Sequence, residues 1–391
     1  MERKLTFHIP GLVHLPCSKE YMGCAFTQKI LNLIKMLKSL GHTVYFYGAE
    51  GSDVPADEFI QTHTLKDIRK EWGEGDNRFE IGYDWKVKNF KHDFNKTKTQ
   101  TTLKFYKTCI EEITKRKKPD HFILLPQGIY HKPIADAVKL YLTCEPGIGY
   151  RGSYAPFRAF EGHYMQNFTY GSEHPRQSIN GSYYDRVIPN YFDLKDFKFS
   201  AKKDDYFLFI GRLIQRKGLR TAHLISKELG IPLKIAGQGM KSWEKGKLVT
   251  EEITLEGEHL DYVGYVGVKE RKELLSKAKA VIVATTYLEP FGGTNVEAQL
   301  SGTPVLTTNF GAFFDTVEQG KTGFRCDTLD DFVQNAKKVD SLDYKYIRDR
   351  AIEKYSMDSV KYEFDKWFKD LYQLYLSTTD KNIKGWHYIS K

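Results

Sequence analysis

The chain has 391 residues, of which 41% are hydrophobic and 14% are aromatic, so its length and composition favour two globular domains with packed cores. No apolar run approaches the roughly 20 residues of a membrane-spanning helix, and the first residues lack the apolar segment of a secretory signal. These features argue against an integral membrane segment. They predict a cytoplasmic protein, either fully soluble or peripheral to a membrane.

The formal net charge of +9 favours contact with an anionic partner, such as nucleotide phosphates, a membrane surface or a nucleic acid. A requirement for solubility alone is the simpler interpretation of this charge. The five cysteines form no C-x-x-C pair, which indicates reduced thiols rather than a disulfide framework or a zinc site.

The amino-terminal residues predict a βα alternation, with strands at 5–9 and 44–47 on either side of a helix at 27–40. Apolar residues recur at helical spacing in that helix. The loop before it carries Gly23, and a glycine at a helix entrance lets the backbone approach a ligand phosphate. There is no G-x-G-x-x-G motif, so an ordinary surface loop is an equally good interpretation.

Residues 51–94 lose this periodicity and predict an irregular insertion. A helix is predicted next, around 103–113. The surrounding block 86–118 contains eleven Lys/Arg against three Asp/Glu. A solvated helix face is the simplest interpretation of this basic block, and a patch that contacts an anionic acceptor or a membrane surface is the alternative.

Two loops in this half follow predicted strands at 122–125 and 140–144, and they contain His131 and Glu145. Because open α/β sheets bind ligands at the carboxyl ends of their strands, both residues are candidates for the site. A solvent-exposed loop carboxylate is the competing interpretation of Glu145. Residues 157–170 then predict an aromatic-rich helix.

The domain boundary is predicted in the charged stretch after residue 192, which gives an amino-terminal domain 1–192 and a second domain 193–356. Residues 357–391 are predicted as a long helix and tail. The helix is rich in aromatic residues, which indicates either packing across both domains or a place in the core of the second domain alone.

The second domain repeats a pattern of short apolar strand, glycine loop and helix, which predicts a doubly wound parallel sheet. The predicted strands are 206–210, 233–236, 261–263, 280–284 and 305–308. The loop after the first of them carries Gly211, Arg212 and Lys217. The cations Arg212 and Lys217 suit a diphosphate leaving group, on which negative charge grows as a bond to sugar breaks.

The most informative loop follows strand 280–284 and places Glu289 and Glu297 eight positions apart. We expect a helix from about Val296, so that Glu297 falls in its first turn. The amides of the loop and helix start would then bind an anion, and they belong to residues Phe291, Gly292, Gly293, Thr294 and Asn295. A carboxylate at Glu289 would hold sugar hydroxyls and stabilise an oxocarbenium-like centre.

A structural interpretation of both carboxylates competes with this one: Glu297 would complement the helix dipole, and Glu289 would be a solvated loop residue. Carboxylates with metal-ligand spacing, such as a D-x-D pair in a strand-end loop, are absent from the sequence. We therefore expect stabilisation of charge by cationic side chains, without a metal or other cofactor.

Four segments together resemble the retaining glycosyltransferases of family four, which have the GT-B fold. The segments are Gly211-Arg-x4-Lys-Gly218, Ala236-Gly-x-Gly239, Glu289-Pro-Phe-Gly-x4-Glu-Ala298 and Gly302-Thr-Pro-Val305. The resemblance is strong from about residue 185 to residue 386 and weaker before it. It implies two Rossmann-like domains that face a central cleft, the first on the acceptor side and the second holding a nucleotide sugar.

By that resemblance, Arg212 and Lys217 bind the donor diphosphate, Glu297 binds the ribose, and Glu289 with the following loop binds the transferred sugar. Gly237 belongs to the donor-binding segments, and Gly23 approaches the phosphates from the first domain. Many relatives also place a histidine of the first domain near this sugar. The matching position here is not evident, and His131 and Glu145 are the candidates.

The leading hypothesis is a retaining transferase that moves a sugar from a nucleotide-diphosphate donor to an acceptor hydroxyl on a glycan, a lipid-linked molecule or another acceptor. A second hypothesis, motivated by the basic block, keeps the enzyme but makes the acceptor a modified nucleic-acid base. A third is a non-catalytic nucleotide-sugar-binding protein, and a nucleotide-sugar epimerase is a further alternative on the same architecture.

Overall fold

The computed structural model describes residues 3–19, 24–72, 98–173, 181–380 and 382. They form two compact units, one from the described parts of 1–81, 91–191 and 357–391, and one from 192–356. The division follows Tyr191, one residue before the predicted boundary. All five cysteines are buried free thiols, as predicted. None of the described helices combines the length and apolarity needed to cross a bilayer.

The first unit alternates strands and helices. Its elements are β1 Thr6–Pro10, α1 Ala25–Ser39, β2 Thr43–Ala49, β3 Glu58–His63, α2 Leu65–Trp72, α3 Gln100–Arg116, β4 Phe122–Leu124, α4 Lys132–Val138, β5 Leu142–Ile148, β6 Phe157–Phe160, α5 His163–Glu173 and β7 Arg186–Val187. The strands form one seven-stranded sheet in the order β3-β2-β1-β4-β5-β6-β7. Every pair in it is parallel.

Two predictions for this unit are wrong. The expected irregular segment 51–94 contains strand β3 and helix α2, while its remainder from residue 73 onward lies outside the described residues. The expected helix at 157–170 begins with strand β6, and the helix itself starts at His163. Strand β6 pairs with β5 and β7, and aromatic residues fit such a pleated, half-buried surface well. The neighbouring strands therefore decide the conformation.

The second unit contains β8 Phe207–Ile210, α6 Leu219–Leu229, β9 Leu233–Ala236, β10 Met240–Glu244, β11 Lys247–Thr250, β12 Thr254–Glu256, β13 Leu260–Gly264, α7 Val268–Lys277, β14 Ala280–Val283, α8 Gly293–Leu300, β15 Val305–Thr308, α9 Phe313–Thr316, β16 Gly323–Cys326, α10 Leu329–Ala336 and α11 Tyr344–Tyr355. Six strands form a parallel sheet in the order β13-β9-β8-β14-β15-β16. The doubly wound α/β class predicted from the sequence is confirmed.

The small antiparallel sheet β10-β11-β12 was not predicted. Its strands are only five, four and three residues long, too short to show the alternation typical of a strand. Leu248 and Leu255 anchor the sheet in the core of the unit.

Helix α12, Met357–Thr379, packs within the first unit. Phe364, Trp367 and Phe368 are buried in it. The ring of Phe368 lies 4.9 Å from that of Phe7, and Trp367 Nε1 donates a hydrogen bond to the Tyr184 carbonyl at 2.9 Å. The alternative that this helix belongs to the core of the second domain alone is therefore wrong.

Candidate functional site

The loops that follow β8 and β14 lie side by side, because these two strands pair in the sheet of the second unit. The amide of Thr286 in one loop donates to the Arg216 carbonyl in the other at 2.9 Å. Gly218 has a φ of +81°, and a Cβ on it would lie 2.0 Å from the Ala284 carbonyl oxygen. Only glycine permits this approach, so the contact between the loops depends on Gly218.

An ion pair joins the two loops. Lys217 Nζ donates to Glu289 Oε2 at 3.2 Å and also to the Tyr287 hydroxyl. The side chains of Lys217 and Glu289 are only 24% and 12% exposed, so solvent screens the pair less than it would at an open surface. Burial and then the negative charge of Glu289 raise the pKa of Tyr287, which keeps its hydroxyl protonated.

Two cations lie over the Tyr287 ring. Lys217 Nζ lies 4.8 Å and the Arg216 guanidinium 5.4 Å from the ring centroid. The positive charge of exposed Arg212 also acts on Tyr287, in the direction that lowers its pKa. No role was predicted for Tyr287 or Arg216, although both lie within the loops that were predicted to form the site. Their proximity depends on the contact between two loops that are about 70 residues apart.

An open pocket lies at the carboxyl ends of β8 and β14. Six residues predicted for the donor site line it: Gly211, Lys217, Glu289, Gly292, Gly293 and Thr294. The other five predicted donor residues of this unit lie outside the lining that the described residues form, and they are Arg212, Gly237, Phe291, Asn295 and Glu297.

Helix α8 starts three residues earlier than predicted, because Gly292 takes a left-handed conformation with a φ of +80° and caps it. The amide of Asn295 donates to the Gly292 carbonyl at 3.0 Å, so the prediction that this amide binds an anion is wrong. The first helical amides, at Gly293 and Thr294, have no carbonyl one turn earlier to pair with. The positive end of the helix dipole is therefore at the pocket.

The early start also corrects the position of Glu297, which lies in the second turn of α8 rather than the first. Its carboxylate forms an ion pair with Arg271 of α7, a residue that sequence analysis did not single out. A ribose bound by Glu297 would therefore share this carboxylate with Arg271.

Phe291 supports the loop from below. Its side chain is 3% exposed and packs edge-on against Tyr355, with ring centroids 5.8 Å apart. Only its backbone is available to a ligand.

Beneath the helix, Asn295 Nδ2 donates to Thr316 Oγ1 and Gln299 Nε2 to Asn295 Oδ1, both at 2.7 Å. This buried polar network ties α8 to α9, and sequence analysis missed it.

Gly237 has a backbone role. A Cβ on Gly237 would lie 1.7 Å from the carbonyl oxygen of Gly211, and the Gly211 amide donates to the Ala236 carbonyl at 3.0 Å. The Gly-x-Gly segment thus allows the loops after β8 and β9 to touch. It positions Gly211 at the pocket without lining the pocket itself.

Glu145 lies inside strand β5, where it is completely buried, and not in the loop that was predicted. Its carboxylate accepts hydrogen bonds from the amides of Tyr154 and Ala155 at 2.6 and 2.7 Å and from the Tyr150 hydroxyl at 2.8 Å. Burial raises the pKa of Glu145 in spite of these donors. Both carboxylate oxygens are therefore engaged in holding the loop that follows the strand.

Replacing Glu145 with alanine should lower the free energy of unfolding by about 3 kcal/mol, because two amides and a hydroxyl lose their acceptor. Glu145→Gln retains one acceptor oxygen and should cost about 1 kcal/mol. Urea unfolding of the two variants measures the difference. Normal stability in Glu145→Ala, together with loss of ligand binding, would instead assign Glu145 to a binding site.

His131 is completely buried, and its Nε2 hydrogen-bonds the Gly11 carbonyl at 2.9 Å. Burial lowers the pKa of His131 to about 4, so the ring is neutral at physiological pH. Gly23, the remaining candidate of the first domain, lies outside the described residues.

The free energy of unfolding should decrease as the pH is lowered, because His131 is buried in its neutral form. The unfolded histidine titrates near 6.5, so its contribution is complete above that pH and is lost as the pH falls towards 4. The loss from this residue should be about 2 kcal/mol at about pH 5. The free energy of unfolding, measured with urea at several pH values, should depend less steeply on pH in His131→Gln than in the parent. Buried His63, whose pKa is also lowered to about 4, still contributes to the pH dependence of the variant. Equal slopes in both proteins would contradict the assignment.

The second unit is similar to known proteins. Residues 192–356 match the family model of the glycosyl transferases group 1. The glycogen synthase of Mycobacterium tuberculosis is 31% identical over 150 residues, which are 36% of this chain and 35% of that protein. The capsular polysaccharide biosynthesis glycosyltransferase CapM of Staphylococcus aureus is 28% identical over 171 residues. The chain spans less than half the length of these two relatives.

Solved structures extend the likeness to the first unit. Sucrose-phosphate synthase from Thermosynechococcus elongatus superposes with a TM-score of 0.65 at 14% identity, covering 94% of this chain and 99% of that one. HepE of Anabaena, solved with UDP-glucose, gives a TM-score of 0.58 at 11% identity and covers 93% and 98% of the two chains. The chain therefore has the GT-B fold, with two Rossmann-like units.

Proposed function

We propose that this protein is a cytoplasmic glycosyltransferase that moves a sugar from a nucleoside diphosphate sugar to an acceptor hydroxyl, with retention of the anomeric configuration. The observation that carries the proposal is the Lys217–Glu289 pair, which lies at a pocket beside the amino-terminal end of α8. One pocket thus offers positive groups for a diphosphate and a carboxylate for a sugar.

The diphosphate is placed against Lys217 and the first amides of α8. Negative charge grows on this leaving group as the glycosidic bond breaks, so cations that are already in position stabilise the transition state more than the ground state. Arg212 and Arg216 add positive charge around Tyr287. We propose that these groups suffice without a metal ion.

Glu289 is placed on the sugar side. Its carboxylate accepts hydrogen bonds from sugar hydroxyls and opposes the positive charge of the oxocarbenium-like centre. In the structure Lys217 bonds to Glu289. A bound diphosphate competes for that ammonium and releases the carboxylate for the sugar. Glu297, held by Arg271, is proposed for the ribose hydroxyls.

The full chain should be incubated with a panel of nucleotide sugars that includes UDP-glucose, the ligand of the Anabaena structure. We expect calorimetric binding of one donor and release of its nucleoside diphosphate in the presence of an acceptor, with or without EDTA. NMR of the product should show the anomeric configuration of the donor. Absence of binding and of release with every donor would overturn the proposal, inversion would overturn retention, and loss of activity in EDTA would overturn metal independence.

A further inference from the structure

The cations of the basic block 86–118 that lie on helix α3 are neutralised by ion pairs, whereas its last two residues, Lys117 and Lys118, follow the helix. On helix α3, Lys104 pairs with Asp67 at 2.7 Å, and Arg116 pairs with Glu58 at 2.6 Å. Lys107 also lies 4.0 Å from Glu111. Such surface pairs add little stability, but they cancel the local charge. The described face of α3 is therefore a poor site for an anionic partner.

Uncompensated positive charge lies instead where the strands of the first sheet begin. Arg3 precedes β1, Lys117 and Lys118 precede β4, and Lys139 precedes β5. Because β1, β4 and β5 are adjacent and parallel, their first residues lie at the same end of the sheet. Within the described ranges, none of these four cations forms an ion pair with a carboxylate, and Lys117 Nζ donates to the Val138 carbonyl.

A row of tyrosines extends from Arg3. The Arg3 guanidinium lies 4.2 Å from the centroid of the Tyr372 ring, and Tyr372 is followed by Tyr375 at 6.1 Å and then by Tyr141 at a further 5.6 Å. Tyr141 is 42% exposed. We call the six outer residues the amino-end surface, and they are Arg3, Lys117, Lys118, Lys139, Tyr141 and Tyr375.

Asp120 lies next to this surface, since its carboxylate accepts a hydrogen bond from the Tyr372 hydroxyl at 3.2 Å. Among the described contacts, this one carboxylate stands against four cations, which leaves the surface positive. The combination of exposed lysines and arginine with amphipathic tyrosine rings is the chemistry that binds at a membrane interface.

We propose that the amino-end surface docks the protein on an anionic phospholipid membrane. The four cations contact lipid phosphates, and Tyr141 and Tyr375 lie at the level of the headgroups. The proposal concerns the first unit and does not depend on the transferase reaction.

A single-stranded nucleic acid is the competing anionic partner, and its bases need open aromatic faces on which to stack. Tyr141 has tilted aromatic neighbours, Tyr375 at 5.6 Å and Phe157 at 5.9 Å. Tyr375 is itself packed between Tyr141 and Tyr372. These ring contacts favour a lipid interface over a stacking platform.

Co-sedimentation of the full chain with vesicles tests the proposal. We expect binding to phosphatidylcholine vesicles that contain phosphatidylglycerol, weak binding to phosphatidylcholine alone, and loss of binding as salt screens the charges. In Lys118→Gln/Lys139→Gln, affinity for the anionic vesicles should fall about fivefold for each lysine removed. Tyr141→Ala should weaken the binding that survives in high salt.

The matched control is Lys104→Gln/Lys107→Gln, which removes the same net charge from the ion-paired face of α3 in the same unit. It should bind anionic vesicles like the parent. Equal losses in the two double variants would overturn the proposal, as would equal binding of the parent to both vesicle types. Binding of single-stranded DNA that depends on Lys118 and Lys139, without such dependence for vesicles, would assign the surface to nucleic acid. Thermal unfolding of each variant verifies that it is folded.

Discussion

Glu289→Gln is expected to lower kcat by about a hundredfold to a thousandfold, while the dissociation constant of the nucleotide sugar changes by less than about threefold. Glutamine retains the size of the side chain and its ability to bind sugar hydroxyls, but it lacks the negative charge. That charge matters most when positive charge develops on the sugar. Steady-state kinetics and calorimetry of the donor measure the two quantities separately.

Lys217→Ala provides the comparison, because this residue is placed on the diphosphate. It should weaken donor binding about tenfold or more as well as lower kcat, since a hydrogen bond to a charged group is lost in both states. The two variants thus separate the sugar side of the pocket from the phosphate side. Parent-like kcat/KM in Glu289→Gln would remove the central assignment of this site.

Gly218→Ala should lower the free energy of unfolding by about 3 kcal/mol. The added Cβ meets the Ala284 carbonyl oxygen at 2.0 Å, and the φ of +81° is unfavourable for alanine. Relief of this overlap would separate the loops that carry Lys217 and Glu289, so transfer activity should also fall. Urea unfolding and the activity assay measure the two effects.

The matched control is Gly230→Ala, at the other end of the same helix α6. Gly230 has a φ of +65°, but no neighbouring atom lies within 4 Å of an added Cβ. It should therefore cost only the conformational penalty, about 1 to 2 kcal/mol, and leave activity intact. Equal losses of stability in the two variants would show that the overlap with Ala284 does not contribute to the effect of Gly218→Ala.

Local pattern was enough for most of the second unit. Strands 233–236 and 305–308 were predicted with the bounds that the structure has, because parallel strands buried on both faces are continuous apolar runs. The start of α8 was missed, since its capping residue, Gly292, depends on a left-handed conformation that composition does not show. Strand β6 was missed because its conformation comes from pairing with β5 and β7.

The site divides in the same way. Glycines beside a lysine and a carboxylate, each after a buried strand, placed Lys217 and Glu289 at the carboxyl ends of parallel strands, where ligands bind. The partners of these residues could not be predicted from the sequence in this way. Tyr287 contacts Lys217 although the two residues are 70 positions apart in the chain. Arg271 pairs with Glu297 from helix α7, and the sequence does not distinguish Arg271 from the other cations of that helix. Glu145 was predicted to lie in a loop, but in the structure it is completely buried and holds the loop that follows β5.

The sequence by itself determined the doubly wound class, the two units and the loops that form the pocket, because periodicity and glycine position act through neighbouring residues. Only the tertiary structure decided which charges remain unpaired. The basic block on α3 is compensated by acids from β3 and α2, whereas the cations before β1, β4 and β5 are brought together without such partners. The physical reason is that an ion pair depends on distance in space, and residues far apart in the chain become neighbours only when the strands between them pair.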